Sequence, residues 1–229
     1  MSIHKCFFVV FCTIFLLHSA SAERVEVTLG NGTVLGVYLL ISENSQAGPQ
    51  PLVILMPGGS GEEALARDLQ YWLGEELMQR GYAVAIPVSP NQRSFRGENN
   101  ALIPLLVDAL QEDSRIQQSQ TLLAGISNGG MSALEVASAM PSRYSGIVAV
   151  PALVPQGLNV DALKGMPIYL RIGDQDELTW MNRLDETANK LREGGAIVDA
   201  DLVFMSPHMF SMEWETLDPW LEELQSKQP

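Results

Sequence analysis

Cysteine is nearly missing from this chain, and the two residues present are confined to one place. Cys6 and Cys12 both lie in the first 22 of 229 residues, as do His4 and His18. Beyond residue 22 there is no thiol to form a disulfide, act as a nucleophile or bind a metal. One imidazole, His208, remains. A zinc site of the usual kind cannot be assembled from one histidine and no cysteine, and no cofactor is expected. Positive charge is also scarce: 14 Lys and Arg stand against 27 Asp and Glu, a formal charge of −13. Such a balance repels nucleic acid and anionic membrane surfaces. Long apolar runs are absent but for one, Cys6–Leu17, which is short of the roughly 20 residues a spanning helix needs. Lys5 precedes that run and Ala20-Ser21-Ala22 closes it. This is the anatomy of a secretory signal peptide. Residues 1–22 are therefore expected to be cleaved, leaving no stable membrane anchor and a secreted or periplasmic protein. Cleavage removes Lys5, the only charged residue of the leader, so the mature chain is one unit more negative.

Residues 23–229 are expected to form a single domain. "RVEVTLGNGTVLGVYLLIS" reads as two strands around a Gly-Asn-Gly turn. From residue 51 onward, short apolar runs alternate with amphipathic stretches. The runs are "PLVILMP", "YAVAIPV", "TLLAGI", "GIVAVPA", "PIYLRIG" and "IVDADLVF". Between them fall helical patterns over "LARDLQYWLGEELMQR", "ALIPLLVDALQED" with Pro104 in its first turn, "GGMSALEVASAM" and "ELTWMNRLDETANKLREGG", and "SMEWETLDPWLEELQ" closes the chain. The alternation predicts an α/β fold with a mostly parallel central sheet and helices on both faces. Ligands of such sheets sit beyond the carboxyl ends of the strands, so the residues that follow each strand are the ones to inspect.

Ser127 follows one strand in Gly125-Ile126-Ser127-Asn128-Gly129, a G-x-S-x-G sequence. Glycine is a poor choice inside a strand or a helix. It suits a serine lifted on a sharp strand-to-helix turn, whose flanking residues must approach each other closely. The alternative is a glycine-rich turn bearing a surface serine. A hydroxyl needs a base to become a nucleophile, and His208, just past the last strand, is the only imidazole of the mature chain. The base in turn needs an acceptor on its other ring nitrogen. "IGDQDEL" offers Asp176, with Asp174 second; a helix cap near Glu177 is the other reading of Asp176. Oxyanion donors are expected from the backbone N–H of Asn128 and from the "PGGSG" loop, at Gly59 rather than Ser60. That loop lacks the Gly-Lys-Ser/Thr ending of a phosphate loop.

Together these residues resemble the α/β-hydrolase superfamily, over nearly all of residues 23–229. The order Ser127, Asp176, His208 is that superfamily's order. "GISNGGM" looks most like secreted esterases of the polyhydroxybutyrate-depolymerase and feruloyl-esterase type, and the size resembles small carboxylesterases and acyl thioesterases. The resemblance implies hydrolysis of a small-molecule carboxylic ester through an acyl-enzyme. Two positions depart from it: Pro57-Gly58 stands where His-Gly is common, and Pro207 where a glycine often precedes the histidine. About a dozen residues, "LVPQGLNVDALKG", occupy the usual place of a lid, so no lid domain is expected. Phe95, Trp180, Met209 and Phe210 are candidates for the site walls. Two rival functions remain: a prolyl-oligopeptidase-like peptidase, disfavoured because no propeller or cap precedes residue 50, and a non-catalytic α/β binding protein. An imidazole base must be neutral to accept a proton, so activity on an aryl ester is expected to fall in acid.

Overall fold

The computed structural model describes residues 23–42 and 48–227. The expected leader, with its cleavage point, lies outside the described residues. Eight strands form one sheet: β1 (Glu23–Thr28), β2 (Val34–Leu40), β3 (Leu52–Met56), β4 (Ala83–Pro87), β5 (Thr121–Gly125), β6 (Tyr144–Ala149), β7 (Pro167–Gly173) and β8 (Ile197–Val203). Their order is β1-β2-β4-β3-β5-β6-β7-β8. The β1–β2 and β2–β4 pairs are antiparallel, and every later pair is parallel.

The central strands are apolar at every position because both faces of the sheet are covered. Alternation along β3 shows how the burial is shared. Leu52, Ile54 and Met56 join the core on one face, while Val53 and Leu55 join the core on the other. The first face is packed by α3 (Leu102–Leu110), α4 (Asn128–Ala139) and α5 (Leu184–Glu193). The second is packed by α1 (Glu63–Leu69), α2 (Glu75–Gln79) and α6 (Trp214–Ser226). β8 lies at the sheet edge and alternates with Asp199 and Asp201 toward solvent, charges that discourage pairing with another chain. The α/β architecture and the mostly parallel sheet are thus as the sequence predicts. The β6–β7 connection holds only a 3₁₀ turn, Val160–Leu163, and no lid domain.

Two helices differ from their expected form, and both differences bear on the site. The helix over 65–80 is interrupted between α1 and α2 by a π-helical turn, Gln70–Gly74. Such wide turns are frequent at functional sites, and this one carries Trp72 into a cleft described below. The helix expected from Glu177 starts only at Leu184. Residues ahead of it are diverted: Asp176 Oδ1 accepts the N–H of Leu178 at 2.6 Å, Thr179 turns left-handed (φ 62°), and a 3₁₀ turn spans Trp180–Arg183. The helical periodicity of that segment loses to the turn that its aspartate organises.

Candidate active site

Ser127 sits between β5 and α4 with φ 54° and ψ −118°. A non-glycine residue there costs on the order of 1–3 kcal/mol and persists only where its surroundings enforce it. They do. The Ser127 N–H donates to the Pro151 carbonyl at 2.8 Å, and the Ser127 carbonyl accepts from Met131 N–H at 3.0 Å. A methyl group on Gly125 would fall 2.3 Å from the Gly129 carbonyl carbon, and one on Gly129 would fall 2.0 Å from Met56 O. The glycines of the motif are therefore required by the closeness of strand, turn and helix, as their spacing implies.

His208 and Asp176 meet from the ends of β8 and β7. His208 Nδ1 lies 2.7 Å from Asp176 Oδ2, with the carboxylate side chain fully buried and the imidazole nearly so. The other carboxylate oxygen holds Leu178 N–H, so Asp176 is fixed from two sides. Asp174, the second choice, serves the backbone instead: its Oδ1 accepts from Ser206 N–H at 3.1 Å. Two neighbours confine the imidazole further. The Trp180 ring meets it edge-on at 4.9 Å and 87°. Glu177 Oε2 accepts the His208 backbone N–H at 3.0 Å, and that bond holds the Glu177 carboxyl below the usual carboxylate range.

Ser127 and His208 line the same cleft, of about 460 Å³, although no hydrogen bond joins them among the described residues. Contacts of this kind often close only in a complex. Gly58 and Gly59 form the cleft's rim beside Ser127. Asn128, at the first position of α4, and Gly59 make no backbone N–H hydrogen bond among the described residues. The Asn128 side chain reaches across to the Gly59 carbonyl at 3.0 Å.

The apolar wall differs from the expected one. Leu65, Leu69, Trp72, Ile126 and Met209 supply it, with Asp68 the one carboxylate. Met209 is as expected. Phe95 and Phe210 are not wall residues: both are buried in the two cores, where covering the sheet outweighs any contact with a ligand. Trp180 acts on the imidazole rather than on the cleft. Leu65, Leu69 and Trp72 were legible in principle, since α1 begins two residues after Gly61 and must pass the mouth of any site there. Among the described residues, no group of three or more His, Cys, Asp or Glu is placed to hold a metal ion.

Residues 89–217, more than half of the sequence, match the family described as phospholipase/carboxylesterase. The chain belongs to the phospholipase/carboxylesterase family. It is therefore an α/β-hydrolase, in an esterase branch of that superfamily. The matched span includes Ser127, Asp176 and His208. No curated protein matches it. Solved structures agree on the fold at low identity. DcsB in complex with a substrate analogue is 12% identical, with a TM-score of 0.71 over 90% of this chain and 99% of that one. Est1E from Butyrivibrio proteoclasticus, with ferulic acid bound, is 15% identical, with a TM-score of 0.65 over 89% and 98%. A phospholipase/carboxylesterase from Dyadobacter fermentans is 21% identical, with a TM-score of 0.58 over 86% and 96%.

Proposed function

We propose that the protein is a serine esterase that cleaves carboxylic esters through an acyl-enzyme. The observation that carries this reading is the buried Asp176–His208 pair at 2.7 Å, opening onto the same cleft as the strained Ser127. With the Asp176 carboxylate on Nδ1, the imidazole offers Nε2 to the cleft. His208 Nε2 takes the Ser127 Oγ proton as Oγ attacks the ester carbonyl. The backbone N–H groups of Asn128 and Gly59 receive the oxyanion, preorganised donors of the kind that are each worth roughly 3–4 kcal/mol in such barriers. The imidazolium, stabilised by Asp176, then returns its proton to the departing alkoxide oxygen, leaving Ser127 acylated. Water, activated by the same imidazole, attacks the acyl carbon and releases the acid.

Family membership supports ester hydrolysis over peptide hydrolysis, and the intact Ser127, Asp176 and His208 support an active enzyme over a binding protein. Ferulic acid in the Est1E structure supports including aromatic acyl groups among candidate substrates. The cleft, apolar and without a lid, favours small or flexible uncharged esters. Export remains part of the proposal, and a mature N-terminus at Glu23 is its check. The function is tested with p-nitrophenyl esters of graded acyl length. Turnover by the wild type and its loss in Ser127→Ala are expected. No hydrolysis of any ester, or equal rates in the two proteins, would overturn the reading.

A further inference from the structure

The Gly58–Gly61 loop is a β-turn closed by Gly61 N–H to Gly58 O at 3.0 Å. Its first central residue, Gly59, has φ 55°, whereas Ser60 stays on the negative side. That is the pattern of a type II′ turn. A flip of the Gly59–Ser60 plane would give a type I′ turn and put Ser60 at positive φ, where serine is strained, so the turn keeps its present form by itself. In a trans peptide the C=O and the following N–H point in opposite directions. The Gly59 carbonyl therefore faces Asn128 and the Ser60 N–H faces away, while the Gly59 N–H belongs to the preceding Gly58–Gly59 peptide and is placed by where the turn as a whole sits.

One side chain ties that turn to the elbow. Asn128 Nδ2 donates to Gly59 O at 3.0 Å, across 69 positions of sequence. The bond holds the Gly59 carbonyl against the elbow. Asparagine is among the poorer helix formers, so the stability of α4 does not explain its presence at the first helical position. Its side chain thus holds the loop that forms the rim beside Ser127.

We infer that Asn128 is a positioning residue whose side-chain amide pins the Gly58–Gly61 turn to the elbow through Gly59 O and so locks the Gly59 N–H in place beside the Asn128 N–H, the two donors of the oxyanion site. This rests on the serine-esterase reading above. The amide touches neither substrate nor nucleophile; it acts through the loop. Its loss frees the turn to shift along the rim, so the Gly59 N–H is in place only part of the time. The apolar wall of Leu65, Leu69, Trp72, Ile126 and Met209 lies outside the turn, so ground-state binding changes little.

The test compares Asn128→Leu, close in size but without a donor, and Asn128→Gln, which keeps the amide on a longer arm. Wild-type turnover of p-nitrophenyl butyrate and fluorophosphonate labelling of Ser127 establish the underlying chemistry first; their failure sinks the esterase reading, not the lock. Given both, Asn128→Leu should lose about 10- to 100-fold in kcat, less than the 10²–10³ of deleting a donor outright, with KM within about twofold. Its affinity for a boronic acid, which forms a tetrahedral adduct, should drop in parallel, and Asn128→Gln should recover part of both. Circular dichroism and the melting temperature report folding. A folded Asn128→Leu with wild-type kcat and boronate affinity, or one whose loss is all in KM, would overturn the lock. If Asn128→Leu does not fold, Asn128→Gln decides alone: kcat and boronate affinity falling together at unchanged KM support the lock, and a change in KM alone contradicts it.

Discussion

The Asp176 carboxylate is held by two different partners, Leu178 N–H at 2.6 Å and His208 Nδ1 at 2.7 Å, and is shielded from water by both. It is at once the organiser of the turn after β7 and the acceptor for the imidazole. Asp176→Asn has only one oxygen: kept on Leu178 N–H it presents an NH₂ to Nδ1 and reverses the tautomer, and turned to Nδ1 it gives up Leu178 N–H, and either way the imidazole loses its counter-charge. In a related constellation that change costs about 10⁴ in kcat. We expect a loss of about 10³–10⁴-fold in kcat here, measured on an aryl ester, with the fold retained by circular dichroism. A loss below tenfold would mean that Asp176 is only a turn residue.

The elbow is held by packing as much as by hydrogen bonds. Gly129→Ala would place a methyl group 2.0 Å from Met56 O and 2.7 Å from Pro57 O, both backbone atoms that cannot swing aside. Strand β3 and helix α4 would have to separate. We expect destabilisation above about 4 kcal/mol, in the exceptional range for one substitution, seen as loss of soluble protein or a fall in melting temperature of many degrees. A variant that melts within a few degrees of the wild type would contradict the close approach.

Trp72 reaches the cleft because the Gln70–Gly74 turn is wide. Trp72→Ala removes apolar wall without touching Ser127. Each buried methylene of a substrate is worth about 0.8 kcal/mol, so we expect kcat/KM for an octanoate ester to fall about 3- to 10-fold, with acetate hardly changed. Equal effects on both esters would place Trp72 outside the acyl path.

Glu177 ties the backbone of His208 to the acid loop, and its lowered pKa sets the pH dependence of that tie. The folded value lies below the unfolded one. The contribution is therefore complete above the ordinary carboxylate range and is lost as pH falls through the depressed value. Hydrogen exchange of the His208 amide should accelerate in Glu177→Gln at neutral pH, and the difference from the wild type should shrink in strong acid. Unchanged protection in the variant would show that the loop is held without it.

Much of this fold is legible in the amino-acid sequence, for physical reasons. Strands covered on both faces must be apolar throughout, so β3, β4 and β5 announce themselves, and the Gly125-x-Ser127-x-Gly129 spacing reports a steric demand that only a strand–turn–helix makes. The single imidazole beyond residue 22 leaves no competitor to His208 there. The π-helical turn leaves no such mark, because "LARDLQYWLGEELMQR" has a helical period on either side of it. The late start of α5 is hidden likewise: the period continues through Leu178, and only the structure shows Asp176 Oδ1 bending that segment out of the helix through Leu178 N–H. Phe95 and Phe210 are only candidates for the wall in the sequence, because an aromatic residue in a loop after a strand can serve a core or a cleft, and packing puts both in the cores.

The central claim is that Ser127 becomes covalently acylated with the help of His208. Mass spectrometry of the folded protein after exposure to a fluorophosphonate tests this directly. We expect one adduct, on the peptide containing Ser127, formed by the wild type and abolished or greatly slowed in His208→Ala. A folded wild type that acquires no adduct, or one labelled elsewhere and equally in the variant, would contradict it.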